Sequence, residues 1–216
     1  MFQQKCREAI TEEAKEIRLE GEVEIDGGWF GGYIKPENVK INRVDRRLAE
    51  NRNGKRRVVV GARERGPEGR TIVAVFDGED QARSWIVERV DRGAQLFADG
   101  APAWDEISAT HSVLTVNHDE RYADGIINTN AMESFFSRLR RFEATHHHIS
   151  GTYLHRYAND AAWRENNRKV DDRRRTTMVM RAAMKAPQSR SFSGYWQRGS
   201  VNHRDDIFGD VFAAFA

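Results

Sequence analysis

The chain has 216 residues, 39% of them hydrophobic, a mean hydropathy of −0.75 and a formal net charge of only +2. These values predict one domain, with or without appendages, that buries a real core beneath a polar surface. No apolar run approaches the length of a membrane span, and the first residues carry no apolar signal region. We therefore expect a cytoplasmic protein with no membrane partner, and the single Cys6 excludes an internal disulfide or a multi-cysteine zinc site.

Hydrophobic periodicity predicts the elements in chain order. They are a helix over 3–19, a strand over 21–30, a long basic loop over 35–56, strands over 57–62 and 71–76 around a turn at 66–69, a helix over 79–92, a strand over 95–99, a short helix over 101–109, a strand over 112–116, a polar loop over 117–127, and helices over 131–142 and 152–169. Three strands followed by alternating helices and strands predict an α/β fold with a mixed sheet flanked by helices. The chain divides into an N-terminal helix and linker over 1–20, a core over 21–170 and a loosely ordered C-terminal tail over 171–216.

Three acidic residues dominate the core. Asp26 and Asp99 each end a strand-like run, and Glu133 lies on a later helix, with 33 residues between Asp99 and Glu133. If the two strands are neighbours, the three carboxylates suit a pair of Mg²⁺ ions about 4 Å apart, which serve phosphoryl transfer. Arg140 follows Glu133 by seven residues, within about 20° of the same helix face, where it could contact a DNA phosphate. Solvated surface carboxylates remain the alternative, because 33 acidic residues produce such triples by chance.

Five sequence blocks resemble, in order and spacing, the core of ISXO-type insertion-sequence DDE transposases over about residues 21–168. The blocks are EIDGGWFGG, VVVGARERG, GAQLFADGAPAW, VNHDERYADGIINTNAMESFFSRLRR, and THHHIS with YLHRYANDAAWRENNR. The resemblance implies an RNase H-like five-stranded sheet, in which a three-strand antiparallel meander is joined by parallel strands. It also implies two Mg²⁺ or Mn²⁺ ions and the cleavage and strand transfer of DNA at transposon ends. It makes Asp26, Asp99 and Glu133 the catalytic, metal-binding triad and Arg140 its basic partner.

The same resemblance identifies the expected partners. We expect double-stranded DNA, both transposon ends and target, bound by a homodimer or larger assembly in the nucleoid, with Arg138, Asn130 and His118 as further DNA contacts. The basic segments 40–57 and 164–175 would guide phosphates, and 28 of the 35 basic residues are arginine, which matches phosphate geometry. No nucleotide cofactor is expected, because the glycine-rich stretches lack the Gly-Lys-Ser/Thr of a P-loop.

Two departures from the family pattern keep other functions open. Asn128 precedes Thr129 and Asn130 where such proteins commonly carry histidine. The usual upstream zinc ribbon and helix-turn-helix do not precede the core, which suggests a truncated element, a fragment, or one part of a split element. The alternatives are a nuclease of the same fold that cuts without joining, and a non-catalytic DNA-binding remnant.

Aromatic and histidine side chains near these blocks also have more than one interpretation. Trp29 either stacks on a displaced base or is buried, and Trp104 either walls the site or packs in the core. The three histidines at 146–148 could bind a metal ion, contact DNA, or pack. Adjacent positions on a helix point about 100° apart, which disfavours a single ion.

Overall fold

The computed structural model describes residues 2–32, 38–43, 48, 50, 54–99, 102–116, 129–187 and 189. Its helices and strands are α1 (Phe2–Ala14), β1 (Glu22–Gly31), β2 (Arg56–Glu64), β3 (Thr71–Phe76), α2 (Arg83–Arg89), β4 (Gln95–Asp99), β5 (Ser112–Val116), α3 (Asn130–Thr145), α4 (Gly151–Asn166) and α5 (Asp172–Lys185). Short 3-10 turns cover Lys40–Asn42, Glu79–Ala82 and Pro102–Ala109. None of the helices in these ranges is long and apolar enough to cross a membrane.

The five strands form one sheet in the order β3-β2-β1-β4-β5. β1 pairs with β2 and β2 with β3 in antiparallel fashion, whereas β4 runs parallel to both β1 and β5. The hairpin between β2 and β3 turns through Gly66, whose φ is +101°, a conformation that glycine adopts without the steric cost of a side chain. The parallel strands instead need crossover connections, which α2 and the following 3-10 turn supply. This mixed sheet with flanking helices confirms the predicted α/β, RNase H-like fold.

Each face of the sheet is covered by its own hydrophobic cluster, because successive strand residues point to opposite faces. One face buries Ile25, Val60 and Leu96 together with Ile86 of α2. The other face buries Val59 and Val73 under side chains of α3 and α4. Asp26, two residues beyond Glu24 on β1, belongs to the face that α3 covers.

Three of the predicted strands, over 71–76, 95–99 and 112–116, have the bounds that the sequence analysis gave them. α1 ends at Ala14 rather than residue 19, because Leu19 forms a parallel bridge with Val90, which directly follows α2. The predicted helix over 79–92 divides into a 3-10 turn and the shorter α2.

The C-terminal segment requires a correction. The sequence analysis predicted a loosely ordered tail from residue 171, but 172–185 form α5. The side chain of Asp171 caps this helix by accepting a hydrogen bond of 3.0 Å from the amide of Arg174. Ala182 is buried, and α5 packs against α1. The run of arginines in its first turn concealed the helix, while 190–216 lie outside the described residues.

Candidate active site

The site begins where the parallel pairing of β1 with β4 ends. Ile25 of β1 pairs with Ala98 of β4, so the next residues, Asp26 and Asp99, lie on neighbouring strands at the same edge. Adjacent strands are about 4.8 Å apart, and both aspartates share the face opposite that of Ile25 and Ala98. The sequence analysis left open whether these two strands are neighbours, and the pairing shows that they are.

The third acidic residue reaches this edge because a buried carboxylate holds the start of α3. Glu24, only 3% exposed, accepts hydrogen bonds from the backbone amides of Ala131 (2.9 Å) and Met132 (3.1 Å). These are among the first amides of a helix, which have no partner within the helix and favour a negative charge. Arg65 donates to the other oxygen of Glu24 at 3.1 Å. The strand residue Glu24 therefore caps α3 and fixes the position of its first turn, which carries Glu133.

From this cap α3 follows β1 closely. The contacts, in order along the helix, are Met132 at Gly61, Phe136 at Gly28, Arg140 over Phe30, and Glu143 at the amide of Gly31. A Cβ atom on Gly61 would lie 2.3 Å from the Met132 methyl group, and one on Gly28 would lie 3.1 Å from Phe136. Both glycines thus allow the helix to approach the sheet. Since Gly61 pairs with Asp26, the first turn of α3 lies near Asp26, close enough for the charge of Glu133 to act on it.

The pKa of Asp26 reflects the negative charges that lie near it. Burial first, and then the negative charges of Asp99, Glu133 and Glu79, together raise the pKa of Asp26 to about 7, against the amide of Gly27, which favours the charged form. That amide donates to Oδ1 of Asp26 at 2.7 Å. A carboxyl group that resists ionisation among other carboxylates is stabilised by a nearby cation.

A fourth carboxylate borders the same edge. Glu79 opens the 3-10 turn after β3, and its side chain rests on the α-carbon of Gly27, where an added Cβ would lie 2.6 Å from Oε1. Burial raises the pKa of Glu79, and the charges of Asp99 and Asp80 raise it further. Glu79 and Asp26 therefore both face the charge of Asp99.

Trp104 orients Asp99. Its indole Nε1 donates a hydrogen bond of 2.7 Å to Oδ1 of Asp99, while its ring is 2% exposed within the core. Of the two roles that the sequence left open for Trp104, packing in the core is confirmed. The bond fixes the position of one oxygen of Asp99.

The donor set suits a hard divalent cation. Asp26, Asp99, Glu133 and Glu79 offer only carboxylate oxygens, the ligands that Mg²⁺ and Mn²⁺ prefer. Among the described residues, however, no three or more acidic, histidine or cysteine side chains are gathered closely enough to hold one ion. The four carboxylates are thus close enough to affect one another's charge, and the strand register places two of them side by side. Their oxygen atoms are suitable ligands for a metal ion, but they do not form a closed coordination shell.

The predicted DNA contacts fall into different surroundings. Arg140 is exposed, with its guanidinium carbon 5.7 Å from the centre of the Phe30 ring, along α3 from Glu133. Arg138 instead lies with Nε 3.1 Å from Glu165 of α4. Asn130 is exposed as the first residue of α3, and His118 lies outside the described residues.

Of the three adjacent histidines, His146 is packed. Its ring makes edge-on contacts with Phe142 and Tyr157, at centroid distances of 4.7 and 5.0 Å. Burial lowers its pKa, as does the charge of Arg7. His147 has a positive φ of 61°, so the cluster sits where α3 ends and the chain turns towards α4.

Sequence analysis missed Glu24 and Glu79 as contributors to this site. Glu24 lies within the strand predicted over 21–30, and its partners at the start of α3 lie more than 100 residues away along the chain. The one sequence feature that could have indicated its role is its position two residues before Asp26, on the same face of the strand. Glu79 carried only the signal of an acidic helix start.

A mixed sheet in the order β3-β2-β1-β4-β5, flanked by helices, is the architecture of an RNase H-like protein. The model of the ISXO2-like transposase domain matches residues 18–166. The chain belongs to that family, as its sequence blocks predicted, and a transposase role in general follows. Neither the curated proteins nor the solved structures contain a significant match to the chain.

Proposed function

We propose that this protein catalyses metal-dependent cleavage of DNA and strand transfer at the ends of an insertion sequence. The observation that carries the proposal is the register of β1 and β4, which sets Asp26 beside Asp99 under the helix that bears Glu133. Membership of the transposase family supplies the reaction class. The partners are double-stranded DNA at the element's ends and at the target, with two copies of the chain or more joining two ends.

The proposed metal ligands are Asp26, Asp99 and Glu133, with Mg²⁺ or Mn²⁺ as the ions. When bound, two such ions neutralise charge on the attacking and leaving oxygens of a phosphodiester. The protein's part is to hold the carboxylates in place. Trp104 fixes one oxygen of Asp99 through its indole N–H, and Glu24 holds the first turn of α3 through two backbone amides.

Arg140 is the proposed contact to the DNA backbone next to the reacting bond. It lies two helical turns beyond Glu133 and near Phe30, four residues past Asp26 on β1. Trp29, 43% exposed at the same end of β1, offers a flat surface on which an unpaired base could stack. Together they extend the site along the direction in which β1 and α3 run.

The test incubates the purified chain with Mn²⁺ and a labelled duplex that carries the element's terminal repeat, together with an unlabelled target. We expect cleavage at the repeat boundary and joined products in the wild type, and neither in Asp99→Asn. Asp105→Asn is the matched control, since Asp105 is an exposed aspartate six residues further along the chain. It should keep full activity.

Other outcomes assign the chain to a different function. Cleavage without joined products would make it a nuclease of the same fold. Salt-dependent binding of the duplex without cleavage, in Mg²⁺ and in Mn²⁺, would make it a DNA-binding remnant. Equal activity of wild type and Asp99→Asn would refute the assignment of the carboxylates.

A further inference from the structure

A second concave site lies beside the start of α3, apart from Asp26 and Asp99. It is a cavity of about 370 Å³ between the β2–β3 hairpin, the first turn of α3 and the residues that follow α4. The residues that line it are Glu24, Arg63, Arg65, Gly66, Asn130, Ala131, Ser134, Arg138 and Arg168. Four of these nine are arginines and one is acidic, which makes the lining strongly basic. We call it the arginine pocket.

A single buried carboxylate organises three of the arginines. Glu165 of α4 lies 3.2 Å from Nη1 of Arg63, 3.1 Å from Nε of Arg138 and 2.7 Å from Nη1 of Arg168. Arg63 is itself 5% exposed and also donates to Thr71 at 2.7 Å. One negative charge thus holds three positive charges at fixed positions around the cavity.

The fourth arginine is held from the opposite side. Arg65 donates to Glu24 at 3.1 Å and lies 3.8 Å from Glu22. Glu22, Glu24 and Glu165 together supply three negative charges to the four guanidinium groups of the arginine pocket. Glu24 also accepts hydrogen bonds from two backbone amides of α3, so its charge is shared between them and Arg65. The described side chains around the cavity therefore keep an excess of positive charge.

Two of the guanidinium groups can reach a ligand from solvent. The side chains of Arg138 and Arg168 are 40% and 47% exposed, whereas that of Glu165, which anchors both, is 7% exposed. A guanidinium carries five N–H donors in a planar fork that matches two oxygens of a phosphate. In the described part of the chain, Arg168 engages Glu165 through Nη1, and this leaves its other nitrogen donors to a ligand in the cavity. If these ion pairs served only to stabilise the fold, guanidinium donors at the solvent-exposed opening of the cavity would not be needed.

We propose that the arginine pocket binds a backbone phosphate of the DNA strand that enters the active site. Glu24 lies two residues before Asp26 on the same face of β1, about 7 Å along the strand, so the two sites are close neighbours. The shared chemistry is that of a phosphate oxygen pair, which a free phosphate ion also presents. Identifying the bound strand as the reacting DNA rests on the proposed function, but the phosphate site itself does not.

The test measures binding of a fluorescent duplex by anisotropy, with the full chain in EDTA and between 50 and 300 mM salt. Loss of one phosphate contact in Arg168→Gln should make the slope of log affinity against log salt less steep by about 0.9. Over a tenfold range of salt, the affinity of the variant should then fall about eightfold less than that of the wild type. Arg168→Lys should recover part of the affinity, because it keeps the charge without the fork. Arg181→Gln, which removes an exposed arginine of α5, is the matched control and should leave the slope unchanged.

Circular dichroism and a thermal melt establish that each variant is folded. If Arg168→Gln fails to fold, Arg138→Gln takes its place, since its exposed guanidinium lines the same cavity. A second arm adds inorganic phosphate at constant ionic strength and follows the melting temperature. Equal slopes for Arg168→Gln and Arg181→Gln would overturn the proposal, whether or not free phosphate stabilises the wild type. Because no metal is present, this result is independent of whether the chain cleaves DNA.

Discussion

The raised pKa of Asp26 predicts that the metal-free protein loses stability as the pH rises. The pKa is about 7 in the folded chain against an ordinary value of 3.8, so the native state keeps a proton that the unfolded state releases. For an acid of this kind the contribution to stability is complete below the unfolded pKa and is lost as the pH rises through the folded pKa. Linkage gives a loss of about 2.5 kcal/mol between pH 5 and pH 8. Solvent access to the partly exposed carboxyl reduces this to about 2 kcal/mol.

The assay is urea unfolding in EDTA at pH 5, 6, 7 and 8 for the wild type, Asp26→Asn and Asp105→Asn. The wild type and Asp105→Asn should lose about 2 kcal/mol more than Asp26→Asn over this range, since asparagine has no proton to release. Mn²⁺ at pH 8 should stabilise the wild type and have less effect on Asp26→Asn. Parallel pH curves for the wild type and Asp26→Asn would refute the crowding of Asp26 by neighbouring carboxylates.

Three further variants test how the site is supported. Glu24→Gln should lower the free energy of unfolding by about 2 kcal/mol, because a charged acceptor of two helix amides is lost; an unchanged urea midpoint would contradict the capping role. Trp104→Phe should cost about 1 kcal/mol and weaken Mn²⁺ binding about tenfold by calorimetry, since Asp99 loses its orienting N–H; unchanged Mn²⁺ affinity would argue against that role. Gly61→Ala should cost about 1–3 kcal/mol by overpacking, and Met132→Ala in the same chain should recover part of this loss; strictly additive effects in the double variant would exclude the contact.

Local pattern predicted most of the sheet. The strands over 71–76, 95–99 and 112–116 are short, apolar and bounded by turn residues, so their limits are encoded within a few positions of each end. The same holds for α3, which carries a continuous apolar stripe from Met132 to Phe142. The position of Asp99 at the end of β4 follows from these assignments, whereas Asp26 lies within β1. Their catalytic roles stay predictions.

Long-range contacts account for what sequence reasoning missed. Glu24 alternates with Val23 and Ile25 in the way a solvent-facing residue does, and only the distant α3 makes it a buried cap. Leu19 ends α1 early by pairing with Val90, some 70 residues away. α5 is stabilised by its contact with α1, a partner that local composition cannot identify. In each case the contacts that decide the structure are made by residues far away in the sequence.

The register of β4 has a consequence that a melting curve would not detect. β4 is five residues long, and a slip by one position would turn Asp99 to the opposite face of the sheet while still pairing backbone groups. Hydrogen bonds made by Gln95, the first residue of β4, oppose such a slip. The side-chain amide of Gln95 donates to the backbone carbonyl of Ser112 at 2.8 Å, and the Ser112 hydroxyl donates to the side-chain oxygen of Gln95 at 2.9 Å. The backbone amide of Gln95 donates to the carbonyl of Gly21 at 2.8 Å. A polar clasp on the far edge of the sheet from the carboxylates therefore selects the one folded form in which they meet.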